Sequence, residues 1–172
     1  MQRIFWGQEL HRHSAVLASF AFTVAIVVAI FLPTSVFSLT WQEQIEQKML
    51  ILKDSEKHWL EINLTKQRLI AWEAKQPVYA VIISTGKKTT PTPPGIFTIQ
   101  SKHRHGRMQG ADYDIPDVPY VMYYNRGYAI HGAYWHKNFG TPVTHGCTNV
   151  AVDHAEWFFN WTSVGTPVII HY

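Results

Sequence analysis

The sequence predicts a mainly β domain with one packed helix, carried behind an apolar N-terminal segment. Three observations predict it. Short alternating or β-branched runs recur from His58 to Tyr172, separated by turn residues. Only Val152 to Trp161 shows strong helical spacing. Before both lie 18 uncharged residues, Ala15 to Leu32. The length of 172 residues suits one domain, and 47% apolar against 16% charged residues excludes a disordered chain. A formal charge of +3 is too slight to suggest a nucleic-acid partner. The single cysteine excludes an internal disulfide and a Cys-rich zinc module.

In chain order, residues 1–14 read as a short cytoplasmic leader containing Arg3 and Arg12. Residues 15–38 read as a transmembrane anchor or signal segment, with residues 15–32 in the membrane. As a helix those 18 residues extend roughly 27 Å, close to a hydrocarbon core of about 30 Å. The apolar run is long for a cleaved signal peptide, although Val36 and Ser38 fit a cleavage point after Ser38. The basic leader favours an exported remainder. The expected location is therefore the cell membrane with an extracytoplasmic domain, or full export after cleavage. Residues 39–57 read as a tether or a short amphipathic helix built on Ile45, Met49 and Leu52.

Residues 58–172 form the predicted β domain. Leu60, Ile62 and Leu64 alternate with Glu61 and Asn63, and Arg68 to Glu73 returns after a turn at Thr65–Gln67. Val78 to Ser84 reads as a buried strand. Thr90 to Gly95 (TPTPPG) is a stiff loop, Ile96 to Ile99 a strand, and Lys102 to Gly110 a basic loop. Val118–Tyr124, Tyr128–His131 and Pro167–His171 complete a mostly antiparallel set. Ala155, Phe158 and Phe159 mark the inner face of the helix, and Asp153 suits its positive end.

The chemistry concentrates in His131 to Asn149, HGAYWHKNFGTPVTHGCTN. A nucleophilic thiol needs a base or a cationic neighbour, and His131 and His145 are the candidates for Cys147. The base needs a third group to orient it, and a reacting carbonyl needs backbone N–H donors, which the Gly146–Cys147 turn can offer. Three competing readings exist. Cys147 can be a small buried apolar residue. Zinc held by His131, His136, His145, Cys147 and His154 fits no usual ligand spacing. A sortase-type enzyme needs an arginine after the cysteine, and the last arginine is Arg126.

His131-Gly132 followed by Thr144-His145-Gly146-Cys147-Thr148-Asn149 resembles the signature of the L,D-transpeptidase catalytic domain, the YkuD-like family of bacterial cell-wall enzymes. The resemblance extends over INLTKQRLIAW, STGKKTTPTPPGIFTI, DVPYVMYY and GTPVIIHY, from about Trp59 to Tyr172. It implies a β-sandwich-like catalytic domain with no metal or cofactor. It implies Cys147 as nucleophile, His131 as general base and the Gly132 carbonyl as the group orienting His131. It places His145, Gly146, Thr144 and Asn149 at the substrate or oxyanion, with Tyr113 and Trp135 lining a donor channel. The implied reaction transfers an acyl group between peptidoglycan stem peptides through a cysteine thioester. An L,D-carboxypeptidase, or a non-catalytic wall-binding module with an inert cysteine, is the alternative. Thr144 stands where the family more often has Ser, Thr148 where an apolar residue is usual, and Ala151 where a hydroxyl helix cap is frequent. Asp153 is then the expected cap.

Overall fold

The computed structural model describes residues 38–172. The predicted leader and membrane segment lie outside the described residues. No helix among the described residues is long and apolar enough to cross a membrane.

The order is α1 (Trp41–Lys53), β1 (His58–Asn63), β2 (Arg68–Glu73), β3 (Gln76–Ile82), β4 (Gly95–Thr98), β5 (Ser101–Gln109), β6 (Asp114–Asn125), β7 (Tyr128–Gly132), β8 (Thr148–Val150), α2 (Val152–Trp161) and β9 (Pro167–His171). One sheet runs β3-β2-β1-β9-β4 and the other β5-β6-β7-β8. Most pairings are antiparallel. The exceptions are β1 with β9 and β7 with β8. Leu60, Ile62, Leu69 and Ile170 of the first sheet, Met122, Tyr124 and Ile130 of the second, and Phe158 of α2 share the main core.

Two helices pack on the domain: besides the expected α2, the 39–57 region takes the helical one of its two expected forms. Its helix α1 starts at a capping box, in which the Thr40 hydroxyl accepts from the Glu43 N–H and the Glu43 carboxylate accepts from the Thr40 N–H. Spacing of i, i+4, i+7 puts Ile45, Met49 and Leu52 on one face, which covers Trp59, Trp72, Ile96 and Ile169. Helix α2 buries Ala155, Phe158 and Phe159 as its pattern predicts. Its N-cap is Ala151 with no side-chain bond, so Asp153 does not cap it.

Two further expectations change. Lys102–Gly110 is not a loop but mostly strand β5, which among the described residues is a sheet edge paired only with β6. The Val78–Ser84 run does not form a fully buried strand. Strand β3 is the other sheet's edge and leaves Val78 and Ile82 exposed, while Val81 and Ile83 are buried. On β9, His171 is largely enclosed and paired with Glu61.

The segment after β3 frames the catalytic motif. The buried Gln67 side chain donates to Leu64 O and Thr85 Oγ1 and accepts from the Thr85 N–H. Ser84 then bridges Asn149, and Gly86 bridges Thr144. A methyl group on Gly86 would meet the Thr90 carbonyl at 2.1 Å, so the backbone passes there only as glycine.

Candidate active site

His131 and Cys147 reach each other's neighbourhood through the parallel pairing of β7 with β8. In that register His131 lies opposite Asn149 and Gly132 opposite Val150, with Cys147 one residue ahead of β8. A crossover of residues 133–147 joins the two strands, as a parallel pair requires. Alternation along β7 turns Ala129 toward the cluster containing Cys147 and Tyr113, while Ile130 enters the main core.

Both residues line a cavity of about 140 Å³. Thr144, His145 and Asn149 share its wall with Tyr113 and Trp135, so the cavity gathers most of the residues expected from sequence. His131 is 2% exposed, and its Nδ1 donates to the Gly132 carbonyl at 3.0 Å. This bond selects the tautomer with the proton on Nδ1 and leaves Nε2 as the basic nitrogen. Burial pushes the His131 pKa down to about 4; the Gly132 carbonyl opposes this, and nearby His136 adds to it. The imidazole is neutral at neutral pH.

Cys147 is half-buried, with Sγ 3.7 Å from the Gly127 carbonyl. Burial pushes its thiol up, against the Ala129 N–H, which favours the thiolate. Of the two means of activation considered, a cationic neighbour and a base, the cavity offers the second: a neutral thiol shares it with a neutral imidazole.

The turn before the sulfur is braced on all sides. Thr144 Oγ1 donates to Cys147 O at 2.6 Å and accepts from the Gly146 N–H at 3.0 Å. Thr92 Oγ1 donates to the Gly146 carbonyl at 2.7 Å. Gly146 has φ of 120°, and a methyl group there would meet the Tyr128 ring at 2.5 Å. Because its N–H serves Thr144, Gly146 is not the free oxyanion donor expected, and the Cys147 N–H is left as that turn's candidate. Gly132 is required by packing, since a methyl group there would lie 2.8 Å from Pro119 Cγ.

Several residues at the site were not singled out from sequence. Met108, Ile115 and Val143 add apolar wall. Asp112 accepts from His145 Nε2 at 3.1 Å, while Tyr113 stacks on the same imidazole at 4.6 Å. His136, considered above only as a zinc ligand, lines the cavity and meets the Asn149 amide at 2.8 Å. Its Nδ1 accepts the Asn138 N–H, so Nε2 carries the proton and the Asn149 amide oxygen must face it.

A thiol and a tautomer-locked neutral imidazole open on one cavity of a two-sheet β scaffold, an arrangement with the chemistry that cysteine acyl transfer needs. The L,D-transpeptidase catalytic domain model, YkuD, matches residues 57–170, and the chain belongs to that family. It is 35% identical over 97 residues to L,D-transpeptidase 1 of Mycobacterium tuberculosis, covering 49% of this chain and 39% of that protein. The catalytic domain of the Enterococcus faecium L,D-transpeptidase aligns with a TM-score of 0.62 at 27% identity, covering 68% of this chain and 98% of that one. An avibactam carbamoyl enzyme, Ldtfm, aligns with a TM-score of 0.64 at 28% identity, covering 69% of this chain and 50% of that one. The chain spans 36% of the length of another relative, the probable L,D-transpeptidase 3 of M. tuberculosis.

Proposed function

We propose that this protein is a peptidoglycan L,D-transpeptidase working through a Cys147 thioester. The observation that carries the reading is the shared cavity of Cys147 and a His131 whose free nitrogen is fixed by Gly132. His131 Nε2 takes the thiol proton as sulfur attacks the carbonyl of the donor stem's L-to-D bond. The proton then passes to the leaving D-amino acid, and the thioester remains. An amine of a second stem attacks the thioester and releases the thiol. Attack starts from the neutral pair, so the proton moves during carbon–sulfur bond formation. The charged imidazolium and the anionic tetrahedral oxygen stabilise each other inside the apolar cavity. The names of the matched relatives support the peptidoglycan stem as substrate, and no step of this chemistry calls on a metal or cofactor.

The uncharged run at residues 15–32 supports a second part of the reading: a membrane anchor that holds the domain on the wall-facing side. Separating membranes from full-length cells, with and without residues 1–38, tests it; recovery of the intact chain in the soluble fraction rejects it.

The catalytic test uses the full chain, a disaccharide-tetrapeptide and mass analysis of products. Wild type is expected to form the cross-linked dimer with loss of a D-amino acid, and avibactam is expected to add covalently. Cys147→Ala is expected to abolish both, while circular dichroism stays native. Dimer formation by Cys147→Ala at the wild-type rate rejects the mechanism.

A further inference from the structure

The reaction proposed above removes two protons from two different groups, and His131 accounts for only one. The second comes from the acceptor. A primary amine is an ammonium ion at neutral pH and has no lone pair with which to attack a thioester. It has to lose a proton at the cavity first.

From these contacts we infer that His145, held by Asp112, is the base that receives this proton, making Asp112 a positioning residue for the acceptor half-reaction. His145 lines the same cavity as Cys147, yet its side chain is 34% exposed, at the solvent side. Asp112 accepts from Nε2 at 3.1 Å. That contact puts the ring proton on Nε2 and leaves Nδ1 with the lone pair. Nδ1 makes no hydrogen bond with the described residues. The stacked Tyr113 ring, 4.6 Å away and 23° from parallel, limits rotation of the imidazole. Of the three histidines lining the cavity, His131 and His145 are thus locked in opposite tautomers. His131 is tied through Nδ1 to a carbonyl and buried. His145 is tied through Nε2 to a carboxylate and faces water. A carboxylate partner suits a base that must carry positive charge for a time, and it draws the cationic acceptor toward the same rim.

The proton count closes. The acceptor ammonium gives one proton to His145 Nδ1, and the free amine attacks the thioester carbon. The tetrahedral intermediate expels sulfur, which takes the second amine proton and returns as the thiol. His145 releases its proton to solvent across the exposed rim. Amide, thiol and one solvent proton are the products.

This inference rests on the transpeptidase reading, and the experiment separates the two. The full chain is acylated with a disaccharide-tetrapeptide, and the acyl-enzyme is followed by intact-protein mass. Glycinamide, largely cationic at neutral pH, and hydroxylamine, uncharged there, are compared as acceptors. Asp112→Asn is expected to lower glycinamide transfer, taken relative to acylation, by about tenfold, and His145→Gln by about a hundredfold, the scale of a positioned general base. Hydroxylamine transfer relative to acylation is expected to stay at the wild-type value, and Asp112→Glu to restore most of the glycinamide rate. Equal losses for both nucleophiles, or an unchanged glycinamide ratio, overturn the inference and leave the Asp112–His145 contact as a structural latch. Failure of wild type to form any acyl-enzyme overturns the transpeptidase reading itself and the inference with it.

Discussion

Two enclosed histidines in this molecule meet opposite fates. His131 sits in the cavity wall with one ring nitrogen on a carbonyl and the other free. His171 sits on the other sheet with both nitrogens occupied, Nε2 3.0 Å from Glu61 Oε1 and Nδ1 2.9 Å from the Tyr172 carbonyl. Acceptors facing both ring nitrogens favour the protonated form of His171. Glu61 raises its pKa first through the hydrogen bond, against the effect of burial. For His131 burial wins, and the ring stays neutral. Both are shielded from water. Deep burial beside an uncharged carbonyl keeps the His131 ring neutral, whereas a carboxylate partner favours the charged form of the shallower His171.

The sharpest way to break this contrast is to remove the free nitrogen. His131→Gln is expected to slow Cys147 acylation by about 10²- to 10⁴-fold, the contribution of a general base, read by stopped-time mass analysis with avibactam. A loss under threefold contradicts the base assignment.

The next effect is on stability. His131 has its folded pKa depressed from 6.5 to about 4, so the unfolded chain binds the proton first as pH falls. Stability present above pH 6.5 is lost progressively down to about pH 4, by roughly 3 kcal/mol in total from this group. His131→Gln is expected to flatten that part of the urea-denaturation profile. His171 has the opposite sign. Its contribution is complete below 6.5 and disappears as pH rises through its elevated pKa.

Glu61→Gln tests that second site and is expected to cost about 2 kcal/mol at pH 6, the value of a charge-assisted bond, with avibactam acylation unchanged. An acylation defect here breaks the separation of the two regions. The smallest effect is expected from Thr40→Ala. It removes the box that starts α1, for about 1 kcal/mol, and loosens the cover over Trp59 and Ile169 without touching the cavity. Chemical denaturation reads both.

What could be read from the sequence depended on how locally each feature is encoded. The hairpin of β1 and β2 and the closing strand β9 were legible because alternation and turns are contiguous. The grouping of Cys147, His131 and the Gly132 carbonyl was legible because the family signature names these residues within 17 positions. Strand β5 was not, since as an edge it exposes His103, Arg104, His105 and Arg107 and reads as a polar loop. Asp112 meets His145 across 33 positions, from a hairpin tip without any pattern of its own. The fate of the Gly146 N–H turned on a hydroxyl two residues away, a matter of turn geometry. The start of α1 was in plain view, because Thr40-Trp41-Gln42-Glu43 is a capping box.

The cationic border strand has a consequence for solution behaviour. Among the described residues only β6 pairs with β5, so its outer row of peptide groups can template another strand. Lys102, Arg104 and Arg107 lie along that row, and of these Lys102 is already turned onto the Phe159 and Thr162 carbonyls and Arg107 onto Asp114. Two copies approaching border to border would set Arg104 and its neighbours against their own images. Self-assembly into fibrils through this hem is thereby discouraged, and crowding of many copies on a surface does not zip their sheets together.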